Sequence, residues 1–89
     1  MIRKTVHFSG TVQGVGFRYT AHQLARDFEV TGYVRNLSDG RVELLAEGAP
    51  DQVDGLVNAI QQTMRSYIRE TACAESAATG AYQGFEVTF

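Results

Sequence analysis

The segment Val12-Gln13-Gly14-Val15-Gly16-Phe17-Arg18 places two glycines and an arginine between an expected strand and an expected helix. Those residue types at that spacing can hold an anion. Glycine turns the backbone tightly and lets it approach a ligand closely, so successive N–H groups can face one concavity. A helix starting near Phe17 adds its unsatisfied amides and the positive end of its dipole. Arg18 supplies a permanent charge and a planar fork of donors suited to phosphate oxygens. The same residues would serve equally as an ordinary strand-to-helix turn with a solvated arginine. The loop has neither the Lys-Ser/Thr that follows the last glycine of a nucleotide P-loop nor the Gly-x-Gly-x-x-Gly spacing of a dinucleotide turn, so a nucleotide is not expected.

The other reactive side chains do not gather into a motif. His7, His22 and Cys73 lack paired metal-ligand spacing, and both histidines fall on polar faces, where surface or supporting roles are expected. Ser9 and Ser38 have no nucleophile-elbow context. With no carboxylate inside the glycine loop, chemistry there must work with amides, a guanidinium and water. That restriction favours an acyl phosphate, whose carboxylate leaving group needs no general acid and whose phosphate oxygens can take the proton of the attacking water. Asn36, at the end of the second expected strand, is the candidate for positioning that water, because its amide both donates and accepts. An asparagine before a turn also commonly bonds its own backbone, and both readings stand at this point.

These residues need elements to carry them. Residues 4–12 alternate, with Val6, Phe8, Gly10 and Val12 on one face, and read as a half-buried strand. Phe17, Thr20, Ala21, Leu24, Ala25 and Phe28 follow helical spacing, which predicts a helix over 17–28. Val30–Asn36 and Arg41–Glu47 read as a hairpin closed by Leu37-Ser38-Asp39-Gly40, with Val42, Leu44 and Ala46 facing the core. Pro50 suits the start of a second helix whose buried stripe is Val53, Leu56, Val57, Ile60 and Met64, weakened at Gly55 by roughly 1 kcal/mol. A weak fourth strand over 67–75, with Cys73 as a small buried filler, a loop over 77–84 and a short strand over 85–89 complete the chain. The order βαββαβ with an extension predicts an α+β, split-βαβ sandwich in which two helices cover one face of an antiparallel sheet.

Eighty-nine residues are expected to form one domain, 1–89, large enough for a single core. The net charge of −2 argues against nucleic acid as a partner. One cysteine, no secretory pattern and no apolar run of about 18 residues predict a cytoplasmic protein without a membrane partner. A monomer is the default for one small closed domain.

Gly10-Thr11-Val12-Gln13-Gly14-Val15-Gly16-Phe17-Arg18 closely resembles the first signature of the acylphosphatases. Gly32-Tyr33-Val34-Arg35-Asn36, continuing through Asp39-Gly40-Arg41-Val42 to Gly48, resembles the second, and Gly84-Phe85-Glu86-Val87 is an ending of the family's type. The resemblance implies a ferredoxin-like fold and hydrolysis of acyl phosphates to a carboxylate and inorganic phosphate. It further implies that Gln13, Gly14, Val15, Gly16, Phe17 and Arg18 cradle phosphate, that Arg18 binds it by charge and that Asn36 orients the water. No metal or organic cofactor is implied. The chain departs from the pattern at Met64-Arg65-Ser66-Tyr67, where many relatives have a Gly-Pro-Pro-like turn, at Thr71 and Cys73, and at Phe89. Two other readings compete. One is a phosphate-binding domain of the kind that opens some carbamoyl-transfer maturation enzymes, although those chains are much longer and often read Phe-Arg-Pro where this one has Phe17-Arg18-Tyr19. The other is a ferredoxin-like RNA-binding or regulatory module, which the acidic balance and the lack of aromatic RNP strands disfavour.

Overall fold

In the computed structural model, which describes residues 1–89, the first strand β1 runs from Ile2 to Gly10 and so stops two residues before its alternation does. The chain leaves the strand where the Thr11 N–H donates to the Tyr67 carbonyl at 2.9 Å, yet Val12 still turns inward and is 1% exposed. Helix α1 (Phe17–Ala25) is shorter than its apolar stripe. Arg26, Asp27 and Phe28 continue it only through hydrogen bonds to the third residue back, which tighten the end while keeping Phe28 against the core. Strands β2 (Val30–Asn36) and β3 (Val42–Gly48) form the expected hairpin.

Pro50 opens α2 (Pro50–Thr63), whose Val53, Leu56 and Ile60 are fully buried. The helix tolerates Gly55 for a packing reason: a Cβ there would come within 2.5 Å of the Phe28 ring. Strand β4 (Ile68–Ala77) starts and ends later than expected, and β5 (Phe85–Val87) is confined to three residues.

The sheet order is β4-β1-β3-β2-β5. Val6 lies opposite Leu44 of β3 and Cys73 of β4, and Val34 opposite Leu44, all in antiparallel pairs. The expectation of a wholly antiparallel sheet is corrected at one edge, where β5 pairs parallel to β2 with Val34 opposite Val87. Direction explains it. The chain leaves β4 at one edge, crosses the sheet and runs back along the far edge, which makes it parallel to its new neighbour. Cys73 is a second correction: it is exposed, because β4 is an edge strand beyond the cover of the helices. No helix is long and apolar enough to cross a membrane.

One face of the sheet supplies Val6, Phe8, Val34, Val42, Leu44 and Ala46 to the core, against Phe17, Ala21, Ala25, Val53, Leu56 and Ile60 of the helices. Full burial of a large apolar side chain contributes about 1.5 to 3 kcal/mol, so this layer holds the fold together. The opposite face is less open than the alternation of β3 implies, since Glu43, Leu45 and Glu47 are buried as well. Glu43 accepts hydrogen bonds from the Tyr33 hydroxyl (2.5 Å) and Arg35 Nε (3.0 Å), with His7 Nε2 at 3.0 Å. Removal from water raises the Glu43 carboxyl's pKa, but the bonds from Tyr33, His7 and Arg35 outweigh that and hold it below its ordinary value. Burial and then the bond to Glu43 push Tyr33 up to about 12.

Glu47, 3% exposed, fastens the crossing segment 78–84 to this face. It accepts from Arg3 Nε (2.6 Å), from the Thr79 N–H and hydroxyl (3.1 and 2.8 Å) and from the Gly80 N–H (2.9 Å). Tyr82 then packs on Tyr33 with ring centroids 5.8 Å apart. Desolvation raises the Glu47 pKa, and the bonds from Arg3, Thr79 and Gly80 overcome it and bring the group to about 2. A depressed folded pKa stabilises above the unfolded value of about 4.5 and ceases to do so as pH falls through about 2. The urea midpoint of the wild type should therefore drop between those pH values. Glu47→Gln should lose about 2 kcal/mol at neutral pH and show a shallower acid drop, because hydrogen bonds to a charged group contribute about 1.5 to 3 kcal/mol each.

Candidate active site

A cavity of about 300 Å³ opens where the loop after β1, the end of β2 and the chain beyond β5 converge. Gly14, Gly16, Phe17, Arg18 and Asn36 line it, together with Val12, Tyr19, Val87 and Phe89. Gly14 and Gly16 have φ of +79° and +75°, a left-handed conformation that costs other L-residues roughly 1 to 2 kcal/mol. A Cβ at either position would meet no protein atom within 4 Å, so backbone conformation, not crowding, demands glycine there.

Gly16 is also the N-cap of α1, which has neither a side-chain cap nor an acidic residue in its first turn. The first helical bond runs from the Thr20 N–H to the Gly16 carbonyl, so the amides of Phe17, Arg18 and Tyr19 have no acceptor within the helix. Together with the dipole they create positive potential beside the cavity. The Phe17 side chain turns the other way, 2% exposed and packed on Phe8 with ring centroids 5.1 Å apart, and pins the helix start to the core.

Arg18 is held from the far end of the chain. Its Nη1 donates to the Thr88 carbonyl at 3.3 Å, and its guanidinium carbon lies 4.9 Å from the centre of the Phe89 ring. Asn36 is half-buried, and its side chain makes no hydrogen bond to the protein. The turn after it closes without its help, through Leu37 N–H to the Arg41 carbonyl (2.8 Å), Gly40 N–H to the Leu37 carbonyl (3.2 Å) and Arg41 N–H to Asp39 Oδ1 (3.1 Å).

Five of the residues singled out in the sequence thus share one cavity. Two do not line it: Val15 packs against the core, and the Gln13 side chain turns to the hairpin, donating to the Leu37 and Arg41 carbonyls at 2.8 and 3.0 Å. Sequence reasoning missed Tyr19, Val87 and Phe89. The alternation of Phe85, Val87 and Phe89 signals a strand, but only the sheet order reveals that it ends beside Arg18. No group of three or more His, Cys, Asp or Glu side chains is close enough to share a metal ion.

The acylphosphatase family model matches residues 4–87. The chain belongs to the acylphosphatase family. An acylphosphatase of Salinibacter ruber is 43% identical over 86 residues, spanning 96% of this chain and 90% of that protein. The crystal structure of the acylphosphatase from Bacillus subtilis superposes with a TM-score of 0.92 at 32% identity over the whole of both chains. The chain also matches 12% of the length of full-length HypF, solved in a phosphate- and nucleotide-bound form, with a TM-score of 0.89 and 26% identity. With two helices packed against one face of a five-stranded sheet, the acylphosphatase fold here is of the ferredoxin-like α+β class.

The conformational demand at the helix start can be measured without any ligand. Gly16→Ala should lower stability in urea by about 1 to 2 kcal/mol, and Gly16→Asn by less, because asparagine tolerates the left-handed region better than alanine.

Proposed function

We propose that the chain hydrolyses acyl phosphates to a carboxylate and inorganic phosphate, with the phosphate held by the 13–18 loop and Arg18 and the water oriented by Asn36. One observation carries this reading: the cavity gathers a guanidinium, unpaired helix amides and a side-chain amide free of protein partners, and no Asp, Glu, His, Lys or Cys. Such a site can bind a phosphoryl group and its developing charge, but it has no carboxylic acid or imidazole to protonate a poor leaving group, and its one phenol, Tyr19, is largely exposed. An acyl phosphate matches that limit.

Water oxygen bonds to phosphorus as the bond from phosphorus to the acyl oxygen breaks. The leaving oxygen departs as a carboxylate that needs no proton, and the water's proton passes to a phosphate oxygen. Asn36 can accept from the water through its carbonyl oxygen, or donate to it through its amide, and so fix the line of attack. Arg18 and the amides hold the phosphate oxygens throughout. Val12, Tyr19, Val87 and Phe89 form the apolar side of the cavity, where the acyl group has room and few polar partners, consistent with broad acceptance of acyl groups. The whole chain acts as one domain and as a cytoplasmic monomer without cofactor, nucleic acid or membrane partner; its net charge of −2 and single cysteine support that setting.

The likeness to part of HypF, solved in a phosphate- and nucleotide-bound form, raises one second reading, in which this site holds phosphate without turnover. Release of phosphate from a generic acyl phosphate separates the two. Arg18→Ala should weaken inhibition by inorganic phosphate by one to two orders of magnitude and nearly abolish turnover, since each hydrogen bond lost to a charged group costs about 1.5 to 3 kcal/mol. Wild-type phosphate affinity and turnover in that variant would sink the assignment. Asn36→Ala should instead lower kcat roughly 100-fold while phosphate inhibition changes little, because the amide acts as the attack develops. Near-normal kcat in a destabilised protein would leave Asn36 a structural residue.

A further inference from the structure

Residues 11–16 and 36–41 each bring one part of the site, and they belong to different connections of the fold. Their backbones exchange no hydrogen bond. The link between them is the Gln13 side chain, whose Nε2 donates one hydrogen to the Leu37 carbonyl at 2.8 Å and one to the Arg41 carbonyl at 3.0 Å. These are the two carbonyls that also close the β2–β3 turn, accepting from the Gly40 and Leu37 N–H groups respectively. One primary amide therefore spans the mouth of the hairpin and fixes its height relative to the glycine loop.

We infer that Gln13 is a positioning residue for the reaction, setting through its side chain the distance between the amides that hold phosphate and the Asn36 amide that orients water. The inference rests on the roles proposed above for the loop and Asn36. Asn36 immediately precedes Leu37, and its own side chain has no protein partner to correct a misplaced backbone. Pairing with Val42 restrains Asn36 within the sheet, but the sheet alone does not fix the approach of the loop. Two bonds from a single planar group resist both sliding and rotation of the turn, which one bond would not. In-line attack is sensitive to such shifts, since a displacement of about 1 Å can cost on the order of 100-fold in rate.

A double-mutant cycle in the intact protein tests this, using Gln13→Met, which keeps the length of the side chain but removes both donors, with Asn36→Ala and the combination. Turnover of an acyl phosphate is expressed per folded molecule from urea curves, and inorganic phosphate serves as the competitive inhibitor. Gln13→Met should lower kcat between about 10- and 100-fold with the phosphate inhibition constant nearly unchanged. In the Asn36→Ala background the same substitution should change kcat by less than about twofold, because the group it positions is gone. Gln13→Asn, too short to reach both carbonyls, should reproduce the split in a protein that retains an amide. Normal kcat in folded Gln13→Met, an equal loss in both backgrounds, or a parallel loss of phosphate inhibition would each overturn the inference. Normal kcat in Asn36→Ala alone would overturn instead the water-orienting role on which it rests.

Discussion

A buried carboxylate on the face away from the helices fastens the segment that carries the chain to the far edge of the sheet. Glu47 takes four hydrogen bonds from Arg3, Thr79 and Gly80. Without that anchor, the crossing would leave backbone donors over a face bearing Leu45 and Tyr33. With it, β5 reaches the free edge of β2, and Thr88 delivers a carbonyl to Arg18. The ion-paired network on one side of the sheet and the contact made by the guanidinium at the far edge thus lie along one continuous stretch of chain, which β2 holds in between through Gly32 N–H to the Gly84 carbonyl and Thr88 N–H to the Val34 carbonyl.

The site is made largely of backbone and fixed charge. The helix start offers amides because nothing in the sequence caps it, and two glycines hold the left-handed turns that aim the loop. Arg18 has its own donor tied back to Thr88, and its guanidinium carbon lies 4.9 Å from the centre of the Phe89 ring, so two contacts restrict the side chain before any phosphate arrives. Preorganisation of this kind reduces the ordering cost of binding.

Much of this was legible from the amino acids, for identifiable reasons. The helix faces and the core face of β3 follow from period alone, and Val42, Leu44 and Ala46 are each fully buried. Gly14, Gly16, Arg18 and Asn36 fit an ordinary turn as well as an anion site by residue type alone, and it was the two signatures read together that singled them out; they meet at one cavity. The rest depended on contacts between distant segments. The burial of Glu43 and Glu47 requires partners at Tyr33, Arg35 and Thr79 that no local pattern reveals. Cys73 follows a core-facing register opposite Val6, yet it is exposed because its strand lies at the edge. The parallel pairing of β5 and the turn of the Gln13 side chain toward Leu37 likewise come from sheet order, which the sequence of elements does not state.

The tie between Arg18 and Thr88 joins residues 70 positions apart and makes the site a property of the whole chain. Contacts of such separation require loop closure to be complete before they stabilise anything, and topologies rich in them fold comparatively slowly. A chain whose sheet had assembled only as far as β4 would possess the glycine loop, α1 and Asn36, but its guanidinium would swing freely in solvent. Competence therefore waits on the contact of longest reach: docking of residues 85–89 turns a folded scaffold into a phosphate site.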